Sequence, residues 1–355
     1  MAERMWALSG ERDPNHITRG MASAPRNAWY VVAGVDEVGD SLLSRRVLDI
    51  PLVLFRAADG EPVALFDRCP HRLMPLSLGR KIDDEIQCGY HGIRFDRGGH
   101  CTLIPSQNSI PAQLRVASYP VVDKAPFTWV WLGDPGKADP ALIPVPERIP
   151  EQYSTLFQLC YPIKADFLLL HENLMDTSHP TFLHAGYFDD GQLAGASMKV
   201  ETEGNIVRLI RDVGVHIPGP GTTRFFGLQP GVAVHQTTVT ETHAPSLNVI
   251  HYRFTEPGKP SQIHADFLVL APITPSGPRE CYHFVGAAAP FRLEPNAQAD
   301  AVTKEIIAGD ALALEAIEQR RDEMAAEDAE AHIRADGASL YLRRLIRSMA
   351  EAERV

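Results

Sequence analysis

The chain has 355 residues, more than one hydrophobic core usually supports, so its length predicts two domains. Its formal net charge of −11 disfavours nucleic acid as a partner, because phosphate binding requires an excess of Lys and Arg. No apolar run approaches the roughly eighteen residues of a membrane span, and Met1–Arg12 lacks the apolar core of a secretory leader, so we expect a cytoplasmic protein with no membrane partner.

Short strands separated by turns are predicted for the first part of the chain. Residues 1–27 are expected to form a lead-in with a little helix, and Trp29–Val35 is the first strand-like run. Two further apolar runs, Val47–Phe55 and Val63–Asp67, flank the turn signal Asp59-Gly60, which predicts a β-hairpin. This pattern is typical of an all-β domain.

Two Cys/His pairs come next. Cys69 and His71 have one residue between them, and Cys88 and His91 have two. Two thiolates and two imidazoles suit either zinc or an iron–sulfur cluster in which His replaces Cys on one iron. Zinc sites mostly use spacers of two or more residues in both pairs, so the short first pair favours a Rieske [2Fe–2S] cluster. In that cluster Cys69 and Cys88 hold one iron, and His71 and His91 hold the other.

The segments CPHRLMPLSLGR and IQCGYHGIRFD resemble the cluster loops of the Rieske non-haem iron oxygenases, and NAWYVVAG resembles the opening of their Rieske domains. Gly89 and Ile93 depart from the Pro and Trp that many members carry. The resemblance implies a catalytic domain with a mononuclear Fe(II) that uses O2. It also implies electrons from NAD(P)H, delivered by a separate flavin/iron–sulfur reductase or a ferredoxin.

The end of the first domain is predicted from two further strands, Tyr119–Val122 and Phe127–Leu132, which place the Rieske domain at residues 28–133. Residues 134–150 hold five prolines and show no periodicity, which indicates a stiff linker. Residues 151–355 then form the catalytic mononuclear iron domain.

A second set of candidate ligands lies in HENLMDTSHPTFLH, where Asp176, His179 and His184 fit Asp-x2-His-x4-His. Two His and one carboxylate commonly hold iron(II) and leave positions open for O2. On an unbroken helix His179 and His184 would point about 140° apart. Pro180 is therefore predicted to disfavour α geometry at His179 and to break the helix between the two ligands. Two His near an Asp are ordinary in isolation, and the Rieske motif beside them favours ligation.

The resemblance implies a separate role for Asp176. An aspartate at this position in the family bridges the mononuclear site to a Rieske histidine of the next subunit, so Asp176 is expected to link His179 to His91 of the partner subunit in a head-to-tail homotrimer. Asn173 is expected near the iron, and His264 is a candidate for hydrogen bonding an acidic or carbonyl substrate. Both also have ordinary structural explanations.

The third iron ligand must come from far along the chain, after further sheet strands. Those strands are predicted at Ile206–Arg211, Val232–Thr240, Asn248–Phe254, Asp266–Ala271 and Tyr282–Gly286. A helical pattern begins near residue 294, and Asp300, Glu305 and Asp310 on it compete as ligands. The resemblance favours Asp310, because in the demethylase-like branch the ligand Asp lies five residues ahead of a Glu, as Asp310 does of Glu315.

The C-terminal region is predicted to be helical. Residues 311–335 are rich in Ala and Glu and end at Asp336-Gly337, and Tyr341–Met349 repeats apolar residues at helical spacing. The predicted fold class is α+β: an N-terminal all-β Rieske domain followed by an α+β, helix-grip-like catalytic domain with an antiparallel sheet and C-terminal helices.

Within the family, NLMDTSHPTFLH resembles the vanillate O-demethylase and dicamba monooxygenase branch. The expected activity is monooxygenation of a small aromatic acid, with O-demethylation of a methoxylated aromatic as the specific prediction. Ring hydroxylation or N-demethylation of another small cyclic substrate stays open, as do a Rieske electron-transfer protein and a zinc-stabilised binding protein. Basic residues around the cluster loops predict a docking patch for an acidic reductase: Arg72, Arg80, Lys81, Arg94 and Arg97.

Overall fold

The computed structural model describes residues 23–187, 191–323 and 330–354, so most of the predicted lead-in lies outside it. The chain divides into two compact units. The first contains the described residues up to Ile143 together with Thr274–Pro278 and the C-terminal residues Glu353 and Arg354. The second contains Pro144–Ile273 and Arg279–Ala352.

The described part of the first unit is built from strands and short 3-10 turns. Its strands are β1 (Trp29–Gly34), β2 (Leu43–Val47), β3 (Ile50–Arg56), β4 (Pro62–Phe66), β5 (Arg80–Ile82), β6 (Glu85–Gln87), β7 (Arg94–Phe95), β8 (Cys101–Leu103), β9 (Ser118–Tyr119), β10 (Val121–Lys124) and β11 (Phe127–Trp131). They form three sheets with the orders β1-β11-β10, β2-β3-β4-β9 and β5-β6-β7-β8. The predicted hairpin is present as β3 and β4, and Gly60 takes the positive φ of 87° in its turn.

The proline-rich segment is more ordered than the predicted linker at residues 134–150. Asp134 and Asp139 accept hydrogen bonds from Gly136 and Ala141 and so cap two short 3-10 helices, Pro135–Lys137 and Pro140–Leu142. The indole N–H of Trp29 donates to the carbonyl of Asp139 at 2.8 Å. The boundary between the units falls within the segment, after Ile143, and its first part is packed within the first unit.

One seven-stranded sheet forms the base of the second unit. Its strands are β12 (Ser154–Ile163), β13 (Ser197–Glu203), β14 (Ile206–His216), β15 (Val234–His243), β16 (Leu247–Glu256), β17 (Lys259–Gly277) and β18 (Glu280–Ala289). The order across the sheet is β12-β18-β17-β16-β15-β14-β13. The meander from β13 to β17 is antiparallel at each step, and β12 pairs antiparallel with β18.

The described helices of the second unit are α1 (Phe167–Met175), α2 (Pro180–Leu183), α3 (Pro220–Phe226), α4 (Ala297–Glu323) and α5 (Gly337–Ala352). The helix predicted from residue 294 begins at Ala297, because the Asn296 side chain accepts hydrogen bonds from the N–H groups of Gln298 and Ala299. The predicted helix over 311–335 is wrong at its end. Residues 330–333 are not helical, and residues 324–329 lie outside the described residues.

Helix α5 has the amphipathic pattern that was predicted. Leu342, Ile346 and Ala350 recur every four residues and are buried, while Tyr341 on another face is exposed. Arg343 forms an ion pair with Glu172 of α1, which lies beside α5. The predicted α+β class is therefore confirmed. Within the described residues, no helix is both long enough and apolar enough to cross a membrane.

Candidate functional site

The two cluster loops have the same backbone geometry. The N–H of Cys69 donates to the carbonyl of Met74, and the N–H of Leu73 donates back to the carbonyl of Cys69. In the second loop, Cys88 makes the same pair of bonds with Ile93 and Gly92. Each loop is thus a closed turn that begins at a cysteine and carries its histidine inside the turn.

The matched turns need a left-handed residue at the fifth position. Gly92 takes φ 71° there without penalty, whereas Leu73 takes φ 60°. A left-handed conformation costs a residue with a side chain roughly 1–2 kcal/mol. Such backbone strain persists only where the surrounding contacts determine the loop, and it clusters at functional sites.

The cysteines and the histidines of the two loops differ in solvent exposure. Cys69 and Cys88 are buried in the core of the first unit, whereas His71 and His91 are exposed with ring centroids 4.6 Å apart. Burial raises the pKa of the Cys69 thiol to about 11, although the backbone N–H groups of His71 and Arg72 act in the opposite direction. This arrangement fits a two-iron cluster that is held by thiolates on its inner side and by imidazoles on its outer side.

Three of the five residues in the predicted basic patch are paired with carboxylates. Lys81 pairs with Asp40 at 2.7 Å, and Arg97 pairs with Asp59 at 2.6 Å. Arg94 lies 3.6 Å from Glu85, whereas Arg80 donates to the uncharged amide of Gln87 at 2.7 Å. Pairing of this kind weakens the positive field that was expected to guide an acidic reductase.

The candidate mononuclear site begins where α1 ends. Asp176 caps the C-terminus of α1, and its carboxylate Oδ1 accepts hydrogen bonds from the N–H and the hydroxyl of Ser178 at 2.9 and 2.6 Å. Arg211 fixes the same turn from β14, because its Nε donates to the Thr177 hydroxyl at 2.7 Å. The turn lifts the chain off the axis of α1 just before His179.

The predicted effect of Pro180 on His179 is wrong. His179 has α geometry, with φ −61° and ψ −32°, and serves as the N-cap of α2, in which Pro180 is the first residue. The break between helices lies earlier, at Asp176. His179 and His184 therefore bracket the single turn of α2, and their ring centroids are 5.3 Å apart.

Both imidazoles converge on Asp310 of α4. Its Oδ1 lies 3.0 Å from Nε2 of His184 and 3.5 Å from Nε2 of His179. Among the described residues these three form the one set of His, Cys, Asp or Glu ligand atoms that lie within 4.8 Å of one another. Two imidazoles and one carboxylate are the ligand set of non-haem iron(II).

The protonation states suit metal binding. Burial lowers the pKa of His179, so its ring is neutral at neutral pH. Burial raises the pKa of Asp310, but the hydrogen bond from His184 and the nearby imidazoles outweigh it and hold that pKa below its usual value. Nδ1 of His179 faces the backbone carbonyl of Asp176, which fixes the ring with Nε2 toward Asp310.

The other predicted site residues are placed as follows. Asn173 donates from Nδ2 to Oδ1 of Asp310 at 3.1 Å, which puts it beside the candidate ligands. His264 is exposed on β17 and lies 3.1 Å from Glu256. Asp300 and Glu305 are engaged elsewhere, with Gln158 and Tyr187 respectively.

One residue near this site was missed by the sequence analysis. His283 of β18 is 4% exposed, its two ring nitrogens have no hydrogen-bond partner, and the charge of Asp310 acts on its ring. The sequence carries no signal for it beyond a histidine within an apolar strand.

Comparison with known proteins gives the following matches. Residues 28–120 match the Rieske [2Fe-2S] domain, and residues 163–352 match the vanillate O-demethylase oxygenase C-terminal domain. The oxygenase component of dicamba O-demethylase from Stenotrophomonas maltophilia is 32% identical over 83% of this chain and 88% of its own. The vanillate O-demethylase oxygenase subunit of Pseudomonas sp. (strain HR199 / DSM 7063) is 32% identical over 76% of this chain and 78% of its own. A crystal structure of dicamba monooxygenase bound to 3,6-dichlorosalicylic acid matches with a TM-score of 0.83 and 29% identity over 93% of this chain and 98% of its own.

Proposed function

The chain belongs to the Rieske oxygenase components with a vanillate O-demethylase type of C-terminal domain, and from this premise we propose that it removes the methyl group of a methoxylated aromatic acid. The observation that carries the proposal is the convergence of His179, His184 and Asp310 within the matching domain. A pure electron carrier would have no use for a second, buried ligand set.

Each candidate ligand has an assigned place. Cys69 and Cys88 would hold one iron of the [2Fe–2S] cluster, and His71 and His91 the other. His179, His184 and Asp310 would hold the mononuclear iron. When bound, these groups supply single electrons and activate O2 for insertion into a methyl C–H bond.

The overall reaction balances as follows. The ether R–O–CH3, O2, two electrons and two protons give R–OH, formaldehyde and water. One oxygen atom enters the methyl carbon, and the C–O bond to that carbon then breaks so that the ring keeps its oxygen as a phenol. The electrons come from NAD(P)H through a separate reductase or ferredoxin.

The chain's own residues prepare the site in three ways. Burial of His184 and Asp310 excludes bulk water from two of the three ligands. The backbone carbonyl of Asp176 fixes the tautomer of His179, and Asn173 orients the Asp310 carboxylate. Groups held in this way lose little entropy when the reacting centre is assembled.

Electron transfer between subunits forms a separate part of the proposal. Asp176 would connect His179 to His91 of the partner subunit in a head-to-tail homotrimer. Within its own chain, Asp176 approaches His179 through the backbone carbonyl, and its carboxylate bonds Ser178, which leaves the ring of His179 oriented by the main chain. The carboxylate would then act mainly toward the partner.

Mixed trimers test this part. Co-expression of a His91→Ala chain with an Asp310→Ala chain should restore roughly a quarter of the wild-type turnover per subunit, because about one subunit in four of a randomly mixed ring has an intact iron site and a neighbour with an intact cluster. Each variant alone should be inactive. Transfer within one chain instead predicts no activity in the mixture.

The demethylation itself is tested by formaldehyde release. The anaerobically reconstituted protein, with a ferredoxin reductase system and NAD(P)H, is supplied with methoxylated benzoates and phenols under air. We expect formaldehyde in a one-to-one ratio with the phenol formed.

Ring-hydroxylated products or N-demethylated products would instead support the alternative oxygenase activities. A brown protein without a second iron and without O2 uptake would be an electron carrier, and a colourless zinc protein would contradict the whole proposal.

A further inference from the structure

Arg211, in the middle of β14, carries a buried charge. The residue is 4% exposed, and it pairs in register with Met198 of β13 and Thr238 of β15, so the sheet holds its backbone on both sides. Within the described part of the chain, the acceptors of its guanidinium are one hydroxyl and two backbone carbonyls, all of them uncharged. Burial of a charge is costly, so a guanidinium that bonds only to neutral groups indicates that these particular hydrogen bonds have a purpose.

The three acceptors of the guanidinium lie on both sides of the candidate histidines in the chain. Nε donates to the hydroxyl of Thr177 at 2.7 Å, and Thr177 is two residues before His179. Nη1 donates to the carbonyls of Leu193 at 3.1 Å and of Ala196 at 3.3 Å, which both follow His184. One planar group therefore joins the chain before α2 to the chain after it.

Helix α2 depends on contacts of this kind. It has four residues, too few for a helix to be stable by itself, and it carries one candidate histidine at each end. The N–H of Ala194 donates to the hydroxyl of Thr181 in α2 at 3.3 Å, and the neighbouring Leu193 is fully buried. Residues 193–196 therefore bond to α2 directly, and the guanidinium of Arg211 bonds the same residues to the sheet.

The arrangement requires an arginine. A guanidinium carries its donors on Nε and on both Nη atoms in one rigid plane, whereas a lysine carries a single ammonium on a flexible stem. One ammonium nitrogen cannot take the positions of Nε and Nη1 together, so it cannot hold the Thr177 hydroxyl and the two carbonyls in a fixed relation. None of the three hydrogen bonds goes to an imidazole, so the influence of Arg211 on the histidines passes through the chain.

We propose that Arg211 is a positioning residue for the mononuclear metal ion: it fixes both ends of the segment that carries His179 and His184, and so sets how the two imidazoles meet Asp310. The inference rests on the proposed function for the presence of that ion and does not depend on the substrate. Residues that orient metal ligands typically change metal affinity by about 10- to 100-fold, so loss of these hydrogen bonds should weaken metal binding by about tenfold. The sheet should survive the loss, because β14 keeps β13 and β15 as neighbours.

The test is Mn(II) binding to the full-length protein with its oxidised cluster, measured under anaerobic conditions from the EPR signal of the free ion. Mn(II) is the probe because it accepts nitrogen and oxygen ligands and does not exchange electrons with the cluster. Arg211→Lys and Arg211→Met should both bind Mn(II) about tenfold more weakly than the wild type. Arg208→Lys is the matched control and should keep the wild-type affinity, because Arg208 lies on the opposite face of β14, where it pairs with Glu241 at 2.6 Å.

A second measurement separates positioning from a general loss of stability. The zero-field splitting of Mn(II) bound at saturation depends on the arrangement of its ligands, and high-field EPR should show a change in Arg211→Lys but not in Arg208→Lys. An unchanged affinity or an unchanged zero-field splitting in Arg211→Lys would overturn the role of Arg211. An equal loss of affinity in Arg208→Lys would overturn it as well. If Arg211→Met loses its circular dichroism, Arg211→Lys alone decides.

The outcomes also separate this inference from the proposed function. A wild type that binds Mn(II) no better than Asp310→Ala has no ion to position, which would reject both. Mn(II) affinity that depends on Arg211, in a protein that releases no formaldehyde from methoxylated aromatic acids when loaded with iron and supplied with electrons, would keep the inference and reject the demethylase. Formaldehyde release together with Mn(II) affinity that is independent of Arg211 would keep the demethylase and reject the inference.

Discussion

One carboxylate oxygen, Oδ1 of Asp310, is the point on which the candidate iron ligands converge. This oxygen lies 3.0 Å from Nε2 of His184, 3.1 Å from Nδ2 of Asn173 and 3.5 Å from Nε2 of His179. A metal ion needs the imidazole lone pairs. Nε2 of His179 offers one, because Nδ1 of this neutral ring faces the carbonyl of Asp176, and a bound ion would replace the contacts between the imidazoles and this oxygen. Asn173 loses nothing in that exchange and keeps the carboxylate in place.

Replacement of Asp310 by Ala should remove the mononuclear iron and leave the cluster intact. The iron content is expected to fall from that of the cluster plus one ion to that of the cluster alone, with unchanged visible absorbance. Asp300→Ala and Glu305→Ala, on the same helix, are the controls and should keep all the iron. Loss of iron in Asp300→Ala but not in Asp310→Ala would show that the ligand has been assigned wrongly.

Gly79, between the two cluster loops, allows a close backbone approach. A Cβ at this position would lie 2.1 Å from the carbonyl oxygen of Gln87, the residue before Cys88. Gly79→Ala should therefore displace the second cluster loop, with a loss of at least about 1–3 kcal/mol in stability and lower cluster occupancy. Gly39→Ala, where a Cβ meets nothing within 4 Å, is the matched control. Equal cluster absorbance in both variants would contradict the expectation.

Residues differ in how far the sequence reveals them. Cys69 and His71 lie close enough in the chain for their spacing alone to indicate a cluster. Asp310 is one of three acidic residues on its helix, and only the packing of α4 decides which of them is buried beside His184. The sequence does not reveal His283 as a buried ring without hydrogen-bond partners, because the strands and helices that surround it are distant from it in the chain.

At the scale of elements, the break after α1 shows why the candidate iron ligands His179 and His184 face one another. The sequence predicted a break, because an intact helix would point the two imidazoles apart. The presence of Pro180 led to the wrong position for that break, between His179 and His184. Proline is well tolerated as the first residue of a helix, and the Asp176 carboxylate stabilises the turn before it. Strand ends were missed for a related reason: β17 runs from Lys259 to Gly277, far beyond its apolar centre, because partners in the sheet hold its polar end.

Helix α5 gives a prediction about packing. Leu342→Ala removes a fully buried side chain from the face that packs within the second unit and should lower the free energy of unfolding by about 2–5 kcal/mol. Tyr341→Ala, at the neighbouring exposed position, should change it by less than about 1 kcal/mol. Chemical denaturation of the two variants measures the difference. Similar losses in both would mean that α5 is not held by its apolar face.

At the scale of the whole molecule, buried histidines make stability depend on pH. Burial lowers the pKa of His171 to about 4, although Asn248 and the carbonyl of Pro245 oppose the shift. The unfolded chain, with an ordinary pKa near 6.5, takes up the proton first as the pH falls. The stabilisation is therefore complete above pH 6.5 and is lost between about pH 6.5 and 4. His283 acts in the same direction.

His171→Gln should make the pH profile shallower. The uptake of one proton on unfolding changes the free energy of unfolding by at most about 1.4 kcal/mol per pH unit. The slope of that free energy with pH should fall by most of this amount in the variant between pH 6.5 and 5. Urea titrations followed by tryptophan fluorescence at several pH values give the slope. The exposed His100→Gln is the control and should retain the wild-type profile. An unchanged slope in His171→Gln would assign the acid sensitivity to other groups.

The five residues Thr274–Pro278 belong to the first unit although they are encoded far downstream of it. There the backbone N–H groups of Leu48 and Asp49, both at positive φ, donate to the carbonyls of Pro275 and Ser276 at 2.8 and 3.0 Å. A gene cut in the proline-rich segment therefore separates a strained turn from its acceptors. In chimeras between relatives, the N-terminal part of the first unit should be exchangeable only together with these five residues. Recombination in the proline-rich segment alone is therefore expected to yield poorly folded hybrids.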